Sequence, residues 1–307
     1  MRDQALGLAE AVARLRPSAI TVKTIAWRAG VGRLPTALNF APRLTLNPAS
    51  AIAPPWPQLW IAAGRATLAL SSRMRRWSSG RTFVVQTQDP RMDAEAFDLV
   101  IPPTHDGLTG ANVFPILGAP HRVTAARLAA DVARFWPAIE PLPHPRIAML
   151  VGGASKAHDL SSSRAWTLAG DLERCVQETA GSLMLTFSRR TPARARALIT
   201  ERLAPLPGII WDETGDNPFF AFLGAADAIL VTEDSVGMAV QAAATGKPVM
   251  IVPMDGGSER FRRFHDDLAA CGAARPFAGR LETWSYPPLT ETDRAAAEVV
   301  RRLEARS

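Results

Sequence analysis

Cysteine is scarce in this 307-residue chain: Cys175 and Cys271 are the only two, far apart and in helix-like contexts. That excludes a disulfide scaffold and a cysteine metal cluster and leaves two small buried side chains. The five histidines have no ligand spacing, so no structural zinc is expected. Charged residues make up 21% and hydrophobic ones 47%, which excludes a disordered chain and allows a sizeable core. Gly152-Gly153 is not followed by Gly-Lys-Ser/Thr, which rules out a P-loop, and no Gly-x-Gly-x-x-Gly is present. No Ser-His-Asp or Cys-His arrangement can be placed. The opening residues show no secretory pattern, and no uninterrupted apolar run reaches membrane-spanning length. A cytoplasmic chain is expected, with peripheral attachment to the inner face of a membrane left open.

The basic residues outnumber the acidic ones, 35 against 29, for a net charge of +6. Such a balance suits nucleotides, phosphorylated sugars or an anionic membrane face. Arginine-rich composition alone accounts for it equally well. The eight tryptophans are scattered. Trp27, Trp60, Trp77, Trp136, Trp166 and Trp211 fall mostly where core or interface residues belong, without the basic interleaving of a nucleic-acid surface. Nucleic acid is not an expected partner.

Residues 3–16 carry a helix face and 19–27, AITVKTIAW, alternate as a strand does. The chain thus opens on a helix where an α/β domain usually opens on a strand, so a first strand could be missing. Residues 28–56 read as a loop with a short helix. Strands follow at 57–64, 82–90, 97–106 and 112–123, with helices at 65–77 and 127–136. The proline-rich stretch PAIEPLPHP (137–145) reads as a linker. Beyond it, strands at 145–153, 182–192, 208–214, 228–235 and 247–254 alternate with helices at 162–179, 192–204, 217–227, 235–246 and 259–272; a last helix spans 290–305. Short strands alternating with helices of 10–16 residues predict parallel sheets with right-handed crossovers. The expectation is an α/β protein of two Rossmann-like doubly wound domains facing a cleft: residues 1–136, a linker 137–145, residues 146–289, and a terminal helix 290–307 that packs back on the first domain.

Ligands of such sheets lie beyond the carboxyl ends of the strands. Gly152 and Gly153 permit close backbone approach, with Ser155 and Lys156 beside them, and His158 adds to the basic character; a tight strand-exit turn explains the glycines as well. Ser188 and Arg189, followed by Arg190, could clamp a diphosphate; solvated surface charges are the alternative. Thr191 could cap the helix begun by Pro192. Thr232, Glu233, Asp234 and Ser235 precede a helix, with Asp234 or Ser235 as N-cap, and free amides there suit an anion. Glu233 suits a ribose or sugar hydroxyl. Gly246 and Pro248 end that helix without need of a functional reason. In the first domain Asp89, His105 and Asp106 are candidate general bases by position alone.

Six segments carry a family resemblance: QALGLAEAV (4–12), FVVQTQDPR (83–91), FDLVIPPTHD (97–106), VGGASKAH (151–158), TFSRRTP (186–192) and the long run 212–249. With them the chain resembles the bacterial relatives of the plant mitochondrial-fission ELM1 family. Members look like GT-B glycosyltransferases. By that analogy a nucleotide sugar would contact the second domain at Ser155, Ser188, Arg189, Thr232, Glu233, Asp234 and Ser235. The plant relatives act by recruiting a dynamin-like protein, a binding role. Some members carry a nucleoside-diphosphate-sugar epimerase label, but this chain has no Tyr-x-x-x-Lys and its only tyrosine is Tyr286. It also departs from the family: only Met-Arg-Asp precedes QALGLAEA, and Gly237 and Gln241 stand where members tend to carry Ser and Glu. Gln241 lacks the charge that could bind a ribose.

The resemblance implies metal-independent sugar transfer from a nucleotide diphosphate to an envelope or lipid-linked acceptor, with no cofactor and the nucleotide sugar as substrate. A non-catalytic adaptor, with a protein or membrane partner, and a non-redox nucleotide-sugar epimerase are the alternatives.

Overall fold

The computed structural model describes residues 1–28, 36, 39 and 41–306. They form two compact units, Met1–Arg122 with Thr290–Ser307, and Val123–Leu289. The first unit begins with α1 (Arg2–Leu15), β1 (Leu59–Ala63), α2 (Leu68–Trp77), β2 (Phe83–Thr87) and β3 (Leu99–Ile101). The second contains α3 (Ala125–Ile139), β4 (Arg146–Val151), β5 (His158–Asp159), α4 (Ser162–Thr179), β6 (Ser182–Phe187), α5 (Ala193–Leu203) and β7 (Gly208–Ile210). It continues with α6 (Phe219–Ala225), β8 (Ala228–Thr232), α7 (Val236–Ala243), β9 (Val249–Val252), β10 (Asp255–Gly256), α8 (Glu259–Ala270) and β11 (Ala274–Pro276). The final helix, α9 (Glu291–Glu304), belongs to the first unit.

In the first unit β1, β2 and β3 form a parallel sheet, with Leu59 opposite Phe83 and Val85 opposite Leu99. Side chains alternate across a strand, so β2 serves two cores. Phe83 and Val85 pack with Leu8 and Val12 of α1 and with Ala295, Ala296 and Val299 of α9. Val84 packs with Leu68, Leu70 and Met74 of α2. Helices therefore cover both faces, as a parallel sheet requires.

Two segments read as strands are not strands. Residues 19–27 pair only through an isolated bridge between Trp27 and Leu46, and Ile20 and Val22 are exposed. Residues 112–123 meet the sheet only at the bridges of Val113 to Val100 and Ile116 to Pro103. Alternation makes a segment competent to be a strand, but a neighbour must supply the ladder. Part of 28–56, where a short helix is expected, lies outside the described residues; among the described ones a 3-10 turn, Pro48–Ser50, is seen.

The second unit holds six parallel strands in the order β11-β9-β8-β4-β6-β7. Numbered along the chain, that is 6-5-4-1-2-3, the doubly wound dinucleotide order, and its direction reverses between β4 and β8. β4, β6, β8 and β9 are buried along their whole length, which explains their unbroken apolar runs. Ile147, Met149 and Val151 pack with Leu168 and Leu172 of α4 and Ile199 and Leu203 of α5.

The boundary between units lies at Arg122–Val123 rather than at 136. α3 runs through Pro137 to the fully buried Ile139, taking in the start of the expected linker. It packs on α6, where Gly224 makes the approach possible: a Cβ there would lie 2.5 Å from Val132 Cγ2. Trp136 and Trp166 are more exposed than expected, each under an arginine, Arg146 and Arg202 respectively.

Candidate functional site

Parallel register brings the tips of β4, β6 and β8 side by side: Val151 is opposite Phe187, and Leu150 opposite Val231. Gly152-Gly153, Ser188–Thr191 and Thr232–Ser235 therefore adjoin one another at the switch point. Asp234 organises them from a fully buried position. Its Oδ1 accepts from Thr232 Oγ1 at 2.7 Å, and its Oδ2 from Gly153 N at 3.0 Å and Arg190 NH2 at 2.8 Å. Thr232 Oγ1 in turn accepts from Gly152 N at 2.7 Å.

This network corrects the reading of the two glycines as a phosphate cradle. A Cβ on Gly152 would lie 1.9 Å from Asp234 Oδ1, and one on Gly153 2.2 Å from the Arg190 backbone. The close approach that the glycines permit is made by the protein's own groups. Their amides already donate to Thr232 and Asp234, and those of Ala154 and Ser155 to Arg190 O and His158 O. Thr191 likewise does not cap α5; its hydroxyl donates to Gly152 O.

Arg190 and Arg189 divide their roles. Arg190 holds Asp234 and reaches Ala154 O. Arg189 is exposed and has no hydrogen-bond or ion-pair partner among the described residues. Ser188 is half-buried, its Oγ accepting from Arg190 N at 3.2 Å. Ser155 Oγ closes its own turn, accepting from Ala157 N and His158 N, while Lys156 is exposed.

Ser235 is the N-cap of α7, its Oγ accepting from Met238 N at 3.4 Å. The amides of Val236 and Gly237 have no acceptor among the described residues. Nothing lies within 4 Å of where a Gly237 Cβ would be. One turn on, Gln241 donates to Gly237 O at 2.9 Å. An open helix N-terminus at a switch point offers donors and a favourable dipole to an anion.

Glu233 turns the other way. Its carboxylate accepts from Met254 N at 2.6 Å, and its backbone oxygen lies 2.9 Å from His265 Nε2. It thereby anchors the loop after β9 and lines a separate cavity of about 600 Å³ shared with His158, Phe261 and His265. Burial is the main force lowering the His265 pKa. No motif marks that cavity, because His158 of β5 and Glu233 lie far along the chain from α8, which supplies much of its lining.

In the first unit the three candidate bases separate. Asp89 stays near the surface, 18% exposed, and pairs with Arg91 Nε at 2.9 Å. The side chains of His105 and Asp106 are 2% and 3% exposed, in a 3-10 turn after β3. As placed, neither side chain is open to solvent. Among the described residues no group of three or more His, Cys, Asp or Glu is placed to hold a metal ion, and no helix is long and apolar enough to cross a membrane.

The family model described as Mitochondrial fission ELM1 matches residues 1–303. The Mitochondrial fission protein ELM1 of Arabidopsis thaliana is 33% identical over 285 residues, 81% of this chain and 65% of that protein. The chain thus spans somewhat less than two thirds of that relative's length. An uncharacterized protein of Rickettsia prowazekii (strain Madrid E) is 26% identical over 287 residues, 80% of this chain and 79% of that protein. Among solved structures, the UDP-GlcNAc 2-epimerase of Methanocaldococcus jannaschii, in complex with UDP-GlcNAc and UDP, is similar with a TM-score of 0.53 at 14% identity, covering 81% of this chain and 76% of that one. That likeness establishes a GT-B fold, two Rossmann-like units with parallel sheets. With the family match spanning nearly the whole sequence, this chain belongs to the mitochondrial fission ELM1 family.

Proposed function

We propose that the second unit binds a nucleoside-diphosphate sugar, its diphosphate on the N-terminus of α7 and against Arg189 and Lys156. The observation that carries this reading is the open α7 terminus at the β4/β8 switch point, with the amides of Val236 and Gly237 unoccupied among the described residues. Asp234 and Arg190 set the shape of the site, and Arg189, Lys156 and Ser235 supply its contacts. Charge building on a leaving diphosphate would be met by the same donors.

A non-redox reaction of the sugar nucleotide alone, epimerisation or hydrolysis, is favoured over transfer. Activating an acceptor hydroxyl needs an accessible, unengaged base; His105 and Asp106 are buried, and Asp89, the accessible one of the three, is paired with Arg91. The structure of similar fold is a UDP-GlcNAc 2-epimerase, which supports the same order. A binding role without turnover is the second reading and draws on the same burial.

Calorimetry with UDP, GDP, CMP and their sugars tests the site. Binding of at least one tighter than about 1 mM is expected; none at that strength overturns it. Proton NMR of the bound donor, followed without acceptor, separates the readings: a new anomer, epimer or free sugar marks turnover, and an unchanged donor marks binding alone.

A further inference from the structure

The first unit carries a second cavity, about 860 Å³, at the carboxyl ends of β1 and β2. Its size is that of a small-ligand pocket. Arg65, Arg73, Gln86, Gln88, Asp89 and Arg91 are among its lining residues. Three guanidiniums thus face one carboxylate. Asp89 engages Arg91. Arg65 has no hydrogen-bond or ion-pair partner among the described residues, and Arg73 donates only to the carbonyl of Ala69, in its own helix. Arg65 follows Gly64 at the end of β1, so its guanidinium and that of Arg73 border one space.

Gln86 supplies an independent observation. It is 1% exposed and lines the cavity from β2, on the face that α2 covers. Its Nε2 donates to Thr87 O at 3.0 Å, while its Oε1 is buried with no partner. A buried carbonyl without a donor is costly, so a ligand that supplies one is favoured. A carboxylate or a fully ionised phosphate has no proton to offer; a hydroxyl has.

We propose that this cavity binds a phosphate ester carrying free hydroxyls, the phosphate on Arg65 and Arg73 and a hydroxyl on Gln86 Oε1. Paired guanidiniums suit phosphate oxygens. All its lining residues belong to the first unit, so it does not rest on the nucleotide reading of the second. Such an ester could be a soluble sugar phosphate or a polyol lipid headgroup.

The test is calorimetry on the full chain with glucose 6-phosphate, glucose and inorganic phosphate, plus flotation with phosphatidylglycerol vesicles. The ester should bind about tenfold or more tightly than either glucose or phosphate alone. Arg65→Ala with Arg73→Ala should abolish binding while the thermal midpoint stays within a few degrees, and UDP titration of the same variant reports separately on the second unit. Gln86→Met should reduce the preference for the ester over inorganic phosphate. Arginine-dependent binding of glucose 6-phosphate assigns a soluble ligand; arginine-dependent flotation without it assigns a lipid headgroup. Binding of neither probe, or binding unchanged in the arginine double variant, overturns the proposal.

Discussion

Arg190 reaches across from the tip of β6 to Asp234 at the tip of β8, 2.8 Å away, one partner half-exposed and the other fully buried. The pair lies over Gly153, whose amide donates to the same carboxylate oxygen. Two residues that read as ligand-binding groups therefore hold the loops of the site together.

Removing that carboxylate should loosen the fold more than it changes any single contact. Asp234→Ala leaves Gly153 N and Thr232 Oγ1 without their acceptor in a buried place. A loss of about 2–4 kcal/mol is expected, read from urea unfolding. Unchanged stability would show that the network contributes nothing.

Arg189 and Arg190 should differ. Arg189→Ala should weaken UDP binding roughly tenfold, about 1.4 kcal/mol, and leave stability within about 0.5 kcal/mol. Arg190→Ala should lower stability as well. Calorimetry and thermal melts on both variants check the contrast; equal behaviour contradicts the division of roles.

Two glycines of one site should also part company. Gly152→Ala drives a Cβ to 1.9 Å from Asp234 Oδ1 and should cost about 1–3 kcal/mol or more. Gly237→Ala meets open space in the first turn of α7 and should stabilise by about 0.4–1 kcal/mol. Melting midpoints of the two variants decide it.

His121 should govern an acid-side slope in stability. Burial pushes its imidazole down to about 4, against the opposing pull of Asp293. Below its ordinary value of 6.5 the unfolded chain takes up a proton that the folded one refuses. Stability from this group is thus whole above about 6.5 and lost as pH falls to about 4, roughly 3 kcal/mol in all. Urea unfolding between those pH values should show a steeper loss in the native chain than in His121→Gln, where His265, also lowered by burial, still contributes.

Much of the second unit was legible. α4 occupies residues 162–179 as expected, because Ser161 caps it and apolar residues recur at helical spacing through Leu168, Leu172 and Val176. β4, β6 and β8 announced themselves as short apolar runs closed by polar tips, and β9 as an apolar run. β5, β10 and β11 went unseen, being two or three residues long and set by their partners. At the site, the polar tips of β4, β6 and β8 were found, and their division of labour was not. Nothing in TEDS says that Asp234 turns inward to the glycines while Glu233 turns to Met254.

Local rules act over a few residues and are legible in the chain: helices by apolar spacing and caps, buried parallel strands by composition, and loops at the strand ends. Long-range pairing chose which competent segments became strands. Residues 19–27 have the alternation but no partner beyond the Trp27–Leu46 bridge. The tertiary structure also decided which polar side chains remain open to a ligand. Burial and hydrogen bonding depend on neighbours far along the chain, so the 80-residue separation of Gly152 from Thr232 carries information that neither stretch holds alone.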